Sequence, residues 1–403
     1  MNGHPKPLLN GDVENFGFRL LGPYLVSFCD WLHSIQNGAG NNVRLLFVAR
    51  DGYLPHLVYR TLYPEHAEQC AYVVASRLSA QLCDIKDEAA ATAWLTSAAR
   101  SAGLLSCLKD AVGSPTQLDG RQLCKLAETH RTAQQSQLAE LIGAATPVVV
   151  DIGYGGSTQA IFAQLLQGEV QGAYLVTHKA ALATELEAGA IQAFDAANIE
   201  PHGRTSLVNR HRYFFEAVLS EPKGSFLFFS DPSKPVFEPF EPEEQSSRLL
   251  KKIRQGAERY AQEVASGQRS RLPPAEAKAG LQRFLDHPHP GDAVQFAGLD
   301  FNDRLKGVER RYVVIPPDKR RDAFGLWVEG QLAADQVSSS DQSHSQHSPC
   351  WRLSETRFML AGLSTAQFAC YATNRPLFKA QCGGLIGMHV KALMRLVRSR
   401  FES

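Results

Sequence analysis

The sequence has no excess of either charge: 42 Lys plus Arg face 41 Asp plus Glu in 403 residues, a net charge of +1. Without a global field the chain does not announce nucleic acid or an acidic polymer as its partner, so a charged ligand must be met by local groups. It lacks an apolar run approaching the roughly 20 residues that cross a bilayer. No basic stretch followed by an apolar one opens the N-terminus. The 8 cysteines (Cys29, Cys70, Cys83, Cys107, Cys124, Cys350, Cys370 and Cys382) form no CxxC pair and no metal-like spacing. They read as free thiols of a cytoplasmic protein rather than a disulfide framework or a zinc site. No internal repeat is evident. With 44% hydrophobic residues the chain can bury one large core or two ordinary ones.

The most informative stretch is PVVVDIGYGGSTQ, Pro147 to Gln159. Val148 to Val150 supply the β-branched run of a central parallel strand. After Ser157 the pattern turns helical, through Thr158, Gln159, Ala160, Ile161, Phe162 and Ala163. Gly153, Gly155 and Gly156 allow positive φ, and their N–H groups can converge where the next helix N-terminus favours an anion. The competing reading is a tight strand-to-helix turn with no ligand.

Taken in order, Phe16 to Gln36 shows helical spacing, with Pro23 marking a kink or break. Arg44 to Arg50 reads as a strand carrying Arg50, Asp51 and Gly52 at its end, followed by a helix from Tyr53 to Leu62. Ala71 to Ser76 reads as a second strand, ending on Ser76 and Arg77. Two βα units in succession argue a parallel sheet. Residues 78–146 read as a helical insertion, after which Val148 to Asp151 and Gly172 to Thr177 resume the sheet, with a weaker strand near Ala190 to Phe194. The region from about 201 reads as mainly helical: Arg210 to Leu219, Ser246 to Ser266 and Pro274 to Leu285, with Phe226 to Phe240 irregular because of its prolines. Val337 to Pro349 is polar, low in complexity and read as disordered; His344 and His347 within it read as solvated linker. The chain closes on a basic helix, Ile386 to Phe401. The expectation is therefore an α/β, Rossmann-like parallel sheet over residues 1–200 and a mainly helical region over 201–403.

Three strand ends converge in this reading: Arg50, Asp51 and Gly52; Ser76 and Arg77; and Asp151 with the loop through Thr158. Open α/β sheets bind ligands at such an edge. Arginine forks suit pyrophosphate oxygens, and a glycine loop with two hydroxyls suits a terminal phosphate. Two phosphate sites around a polar centre imply a substrate phosphorylated at both ends. The acids can bind sugar hydroxyls, hold Mg²⁺ through water, or accept a proton.

The strand, acid, glycine and Ser/Thr loop resembles that of the type I phosphoribosyltransferases. More closely, LLGPYLVSFCDWL, LLFVARDGYL, ASRLS, VDIGYGGSTQ, FFEAVLSEPKGS and LWVEGQL resemble the phosphoribosyl pyrophosphate (PRPP)-dependent ribofuranose transferases of bacterial capsule and O-antigen assembly. These blocks run from Leu20 to Leu332. The resemblance implies transfer of ribose 5-phosphate from PRPP to a sugar hydroxyl of a glycan, with Mg²⁺ accompanying PRPP as cofactor, and later dephosphorylation by a separate HAD-type phosphatase. It places the Gly155 to Thr158 loop (Gly155, Gly156, Ser157, Thr158) at the 5-phosphate, Asp151 at the ribose hydroxyls with Mg²⁺ held there through water, and Arg50 with Arg77 at the pyrophosphate. Gly52, Ser76, Gly153 and Tyr154 complete the expected PRPP-binding set. Ile152 stands where nucleotide-making members commonly carry a second acid, which leaves the ribose and metal contacts of Asp151 open.

Displacement at the anomeric carbon by a sugar hydroxyl would invert the donor to a β-riboside and use a carboxylate base. Asp51 is the first candidate and Glu216 the second; a turn acid and a solvated helical face are the bland alternatives. The acceptor is expected to be lipid-linked, met at the inner membrane through the C-terminal basic helix, although an ordinary docking helix fits that segment as well. An S-adenosylmethionine-dependent methyltransferase is the nearest rival, because DIGYGG imitates its D-x-G-x-G turn. A phosphatase with an aspartyl nucleophile at Asp51 would need a second acid where Tyr53 stands. A non-catalytic glycan-binding protein is the remaining reading.

Overall fold

The computed structural model describes residues 7–340, except 39–41, most of 99–117, 202–204, 241, 304–307 and 320–324. Its centre is an all-parallel sheet of five strands in the order β2-β1-β3-β4-β5. The strands are Val43–Val48 (β1), Cys70–Val73 (β2), Thr146–Tyr154 (β3), Gln171–His178 (β4) and Ile191–Ile199 (β5). The fold is α/β and Rossmann-like. Alternate residues of the inner strands enter different cores, which is why their sequence is continuously apolar. Leu45, Phe47, Val148 and Val150 face one core, and Leu46, Val48 and Val149 the other.

The chain enters through Glu14–Phe16 (α1), a π-helical turn at Gly17–Leu21, and Gly22–Gly38 (α2). Pro23 follows that turn, whose Gly22 N–H bonds the Gly17 carbonyl, so the expected irregularity lies just before the proline. Tyr53–Leu62 (α3) follows β1. The insertion is helical where it is described: Arg77–Asp84 (α4), Glu88–Ala98 (α5) and Gly120–Ile142 (α6). Asp119 and Gln122 close a reciprocal capping box on α6. Ser157–Leu166 (α7) and Ala181–Ala188 (α8) follow β3 and β4, and α6 and α7 cover the second core through Leu138, Ile142 and Phe162.

Beyond the sheet come Leu207–Arg210 (α9) and Arg212–Leu219 (α10), then an antiparallel hairpin, Phe226–Asp231 (β6) and Lys234–Phe237 (β7). The hairpin replaces the irregular stretch expected from the prolines. Pro232 falls in the turn, where the Ser233 N–H donates to Asp231 at 2.9 Å, and Pro235 lies on a two-stranded ribbon that spares its missing donor. Next are Glu244–Ala265 (α11), Pro274–Asp286 (α12), Pro290–Ala293 (α13), the pair Asp300–Asp303 (β8) and Val308–Tyr312 (β9), and Val328–Ser340 (α14). Residues 337–340 therefore close a helix instead of opening a disordered loop, as propagation from the preceding turns extends it. The remaining expected loop, with His344 and His347, and the basic helix Ile386 to Phe401 lie outside the described residues.

Helix α11 lies across the entry segment at backbone contact. A Cβ on Gly17 would sit 1.9 Å from the Ile253 carbonyl oxygen, and one on Gly256 2.1 Å from that of Glu14. Behind this crossing Phe16, Phe214, Phe284, Phe296 and Trp327 form an aromatic cluster with ring centroids 5.1 to 6.0 Å apart. Among the described residues no helix is long and apolar enough to cross a membrane.

The hairpin is tied to α6 by one buried histidine. The Phe229 N–H donates to His130 Nδ1 at 3.2 Å, so Nε2 carries the proton and donates to the Ser79 carbonyl at 3.0 Å. Burial pushes this imidazole down to about 4. Its folded value lies below the unfolded one of about 6.5, so the stabilisation is present above pH 6.5 and is lost as pH falls towards 4. At about 1.4 kcal/mol per unit, that is about 3 kcal/mol. Unfolding free energy measured by urea titration should therefore fall more steeply between pH 6.5 and 4.5 in the wild type than in His130→Gln; equal slopes would show that His130 is not responsible.

Candidate functional site

The sheet order reverses direction between β1 and β3, and the crevice at such a switch point is where open α/β sheets place ligands. A cleft lies there. Its walls are Arg50 and Asp51 after β1, Ser76 and Arg77 after β2, Asp151, Gly153, Tyr154, Gly155, Ser157 and Thr158 from β3 into α7, and Glu216 from α10. Eleven of the sequence-predicted site residues thus line one space. Gly52 and Gly156 do not line it; each is the N-cap of the helix that follows, α3 and α7. Val48, Ala49, Ala75, Ser225 and Phe226 complete the wall. Ser225 and Phe226 were given no role from sequence, because only the hairpin fold carries them back over the sheet edge.

The glycine loop departs from expectation in one respect. Gly153 and Gly156 take positive φ, +125° and +73°, but Gly155 does not, and Tyr154 does, at 105°. A tyrosine in this region is strained and persists only where its surroundings over-determine it. Here its hydroxyl donates to Glu216 Oε1 at 3.3 Å, and its ring lies 4.9 Å from that of His178. Burial first, then the charge of Glu216, pushes the phenol well up, so it remains a donor. Thr184 Oγ1 pins the loop by donating to the Gly155 carbonyl at 2.8 Å.

Helix α7 points its first turn into the cleft. No side chain caps it, which leaves its leading N–H groups and the hydroxyls of Ser157 and Thr158 to an anion. Gln159, the last residue of the loop block, is fully buried and serves as an anchor: Nε2 donates to the carbonyls of Val170 (2.7 Å) and Gly189 (2.9 Å), and Oε1 accepts from Tyr174 (3.0 Å).

At the opposite end Arg77 is exposed, and among the described residues its guanidinium has no partner. Arg50 donates to the Lys223 carbonyl at 3.4 Å. Asp51 accepts from the Ser220 hydroxyl, and Asp151 Oδ1 from the Ile152 N–H at 2.8 Å. Ser76 is engaged as the N-cap of α4, in a reciprocal box with Ser79. Among the described residues no three His, Cys, Asp or Glu side chains cluster as a metal cage. Asp51 and Asp151 line the cleft, however, and one or two carboxylates suffice for a Mg²⁺ that keeps its waters and meets a ligand's phosphates.

No protein-family model matches this chain, and no curated protein is significantly similar to it.

Two glycines of the loop should respond oppositely to alanine. At Gly153 a Cβ would meet the Val176 carbonyl oxygen at 2.0 Å, in a backbone region closed to alanine, whereas at Gly155 its nearest neighbour is the Ala180 Cβ at 3.9 Å. Gly153→Ala should lose more than about 2 kcal/mol of stability and Gly155→Ala less than about 0.5 kcal/mol, read from thermal or urea unfolding.

Proposed function

We propose that the protein is a PRPP-dependent glycosyltransferase, moving ribofuranose 5-phosphate to a sugar hydroxyl of a bacterial surface glycan. The observation carrying this reading is that one cleft is lined, in strand order, by Arg77 after β2, Arg50 after β1, and Asp151 with an uncapped helix N-terminus and its two hydroxyls after β3. A doubly phosphorylated sugar matches that order. The 5-phosphate would sit on the α7 N-terminus with Ser157 and Thr158, the ribose hydroxyls against Asp151, and the pyrophosphate on Arg50 and Arg77.

In the transfer the bond from the anomeric carbon to pyrophosphate oxygen breaks and the electron pair leaves with pyrophosphate. The acceptor oxygen bonds to the opposite face of that carbon, giving a β-riboside, and its proton passes to a carboxylate. Asp51, held by Ser220 beside Arg50, is the base on this reading; Glu216, held by Tyr154, is the second candidate. The arginines stabilise charge developing on the leaving group. Asp151 would hold Mg²⁺ through water when PRPP is bound, and the ion would supply further neutralisation of pyrophosphate charge. A separate HAD-type phosphatase would then remove the phosphate, and a lipid-linked acceptor would be met at the cytoplasmic face of the inner membrane.

The methyltransferase reading finds less support. The strand that follows the glycine-loop strand in the chain is β4, which ends on buried Thr177 and His178, with the His178 ring nitrogen on Asn209 at 2.9 Å. Among the described residues, no acid stands at the end of β4 to receive a nucleoside ribose.

Calorimetry separates the readings: PRPP with Mg²⁺ should bind, S-adenosylmethionine should not, and a glycan-binding protein would bind neither. Arg77→Ala should weaken PRPP binding by about 10- to 100-fold, the worth of a charge-assisted contact of about 1.5–3 kcal/mol. With a glycan acceptor, mass spectrometry should find an added ribose phosphate. Asp51→Asn should slow that transfer by about 10²- to 10⁴-fold, and Asp151→Asn should also impair it. Near-normal turnover in both variants would sink the site assignment.

A further inference from the structure

Behind the β1 end, outside the cleft lining, lies a buried arginine that the proposed chemistry does not use. Arg254 of α11 is 8% exposed. Among the described residues no carboxylate stands within ion-pairing distance of it, and its Nε has no hydrogen-bond partner. Its guanidinium carbon lies 5.1 Å from the centre of the Tyr53 ring. Glu221 and Glu258 act on the guanidinium only from beyond contact distance, and burying it without a direct ion pair is costly, whereas an apolar side chain of similar size would fill the same space at lower cost. What the guanidinium supplies, and an apolar side chain would not, is a donor: Nη2 bonds the Ser220 carbonyl.

Ser220 is the C-cap of α10, so its carbonyl falls where the helix ladder has ended. The same residue's hydroxyl donates to Asp51 Oδ1. The next N–H, of Glu221, donates to the Arg50 carbonyl at 3.1 Å, and Tyr72 donates to the Glu221 carboxylate at 3.1 Å. Arg254 therefore grips the backbone of a short turn that holds the Arg50–Asp51 segment on two sides. Its own place is fixed by the close crossing of α11 over the entry segment, where Ile253 and Gly256 flank it in sequence.

We infer that Arg254 is a positioning residue: through the Ser220 turn it holds the Asp51 carboxylate in the orientation the cleft requires. The assignment of Asp51 as base rests on the proposed transferase reading, but the mechanical link does not need it. Hydrogen exchange followed by mass spectrometry on the ligand-free protein tests the link. Arg254→Met should speed exchange about tenfold in peptides covering residues 49–53 and 220–224 while leaving the rest of β1 and α3 unchanged. Arg254→Lys, which keeps a charged donor, should restore most of the protection. A folded Arg254→Met with wild-type exchange in both peptides would overturn the inference. Should that variant not fold, Arg254→Gln, which removes the guanidinium donor to the Ser220 carbonyl but keeps a polar side chain, decides: faster exchange over 49–53 and 220–224 is expected, and unchanged exchange overturns the inference.

In the transfer assay Arg254→Met should lower kcat about 10- to 100-fold with the KM for PRPP within about threefold, and Arg254→Lys should recover most of it. Faster exchange with unchanged kcat would overturn the role towards Asp51. Absence of transfer in the wild type would remove the transferase reading and leave the exchange result to decide the positioning.

Discussion

The parallel pairing of β3 with β1 on one side and β4 on the other is the constraint on which the site depends. Val148 pairs with Leu45 and with Gln171, so the two neighbours and β3 end at a common edge. That register puts Asp151 and the glycine loop beside Arg50 and Asp51. It also brings Gly153 so close to the Val176 carbonyl that no other residue fits. Gly156 is then the N-cap of the following helix, whose first residues, Ser157 and Thr158, line the crevice. A phosphate-sized anion would meet N–H groups already fixed by the sheet, with little further ordering to offset its binding.

What could be read from the sequence follows from how each strand is covered. β1, β3 and β4 are buried on both faces and appear as continuous apolar runs, so their ends, and the acids and arginines there, were legible. β5 is an edge strand of partly exposed residues, Ile191 to Ile199, and showed only a weak signal over a shorter span. The β6–β7 hairpin was hidden by Pro232 and Pro235, which disfavour a central strand but not a turn and an edge. Tyr154 was legible as a loop residue but not as one with positive φ, since that conformation is imposed by Gly153 and Glu216 and not by its own preference. Ser225, Phe226 and Arg254 reach the cleft or its support only through tertiary packing, and no local pattern marks them.

Of the three acids at the cleft, the two candidate bases are each held by a hydroxyl. Asp51 takes the Ser220 hydroxyl at the end of α10, and Glu216 takes the Tyr154 hydroxyl from the glycine loop. Both contacts run between the sheet edge and α10, so this one helix of eight residues sets the orientation of both candidate bases. Its sequence explains how it can do so: Tyr213 to Leu219 are all buried, leaving little freedom to rotate about the helix axis. A displacement of α10 would then alter both acids together, and α10 is itself held at its C-cap by Arg254 from α11. The geometry of Asp51 and Glu216 is thus governed from the region beyond the sheet, while Asp151 and the glycine loop are governed from within it. On the proposed transferase reading, this division would keep a phosphate grip rigid irrespective of what α10 meets, and an acceptor would be met on the side of the cleft formed by α10, Ser225 and Phe226.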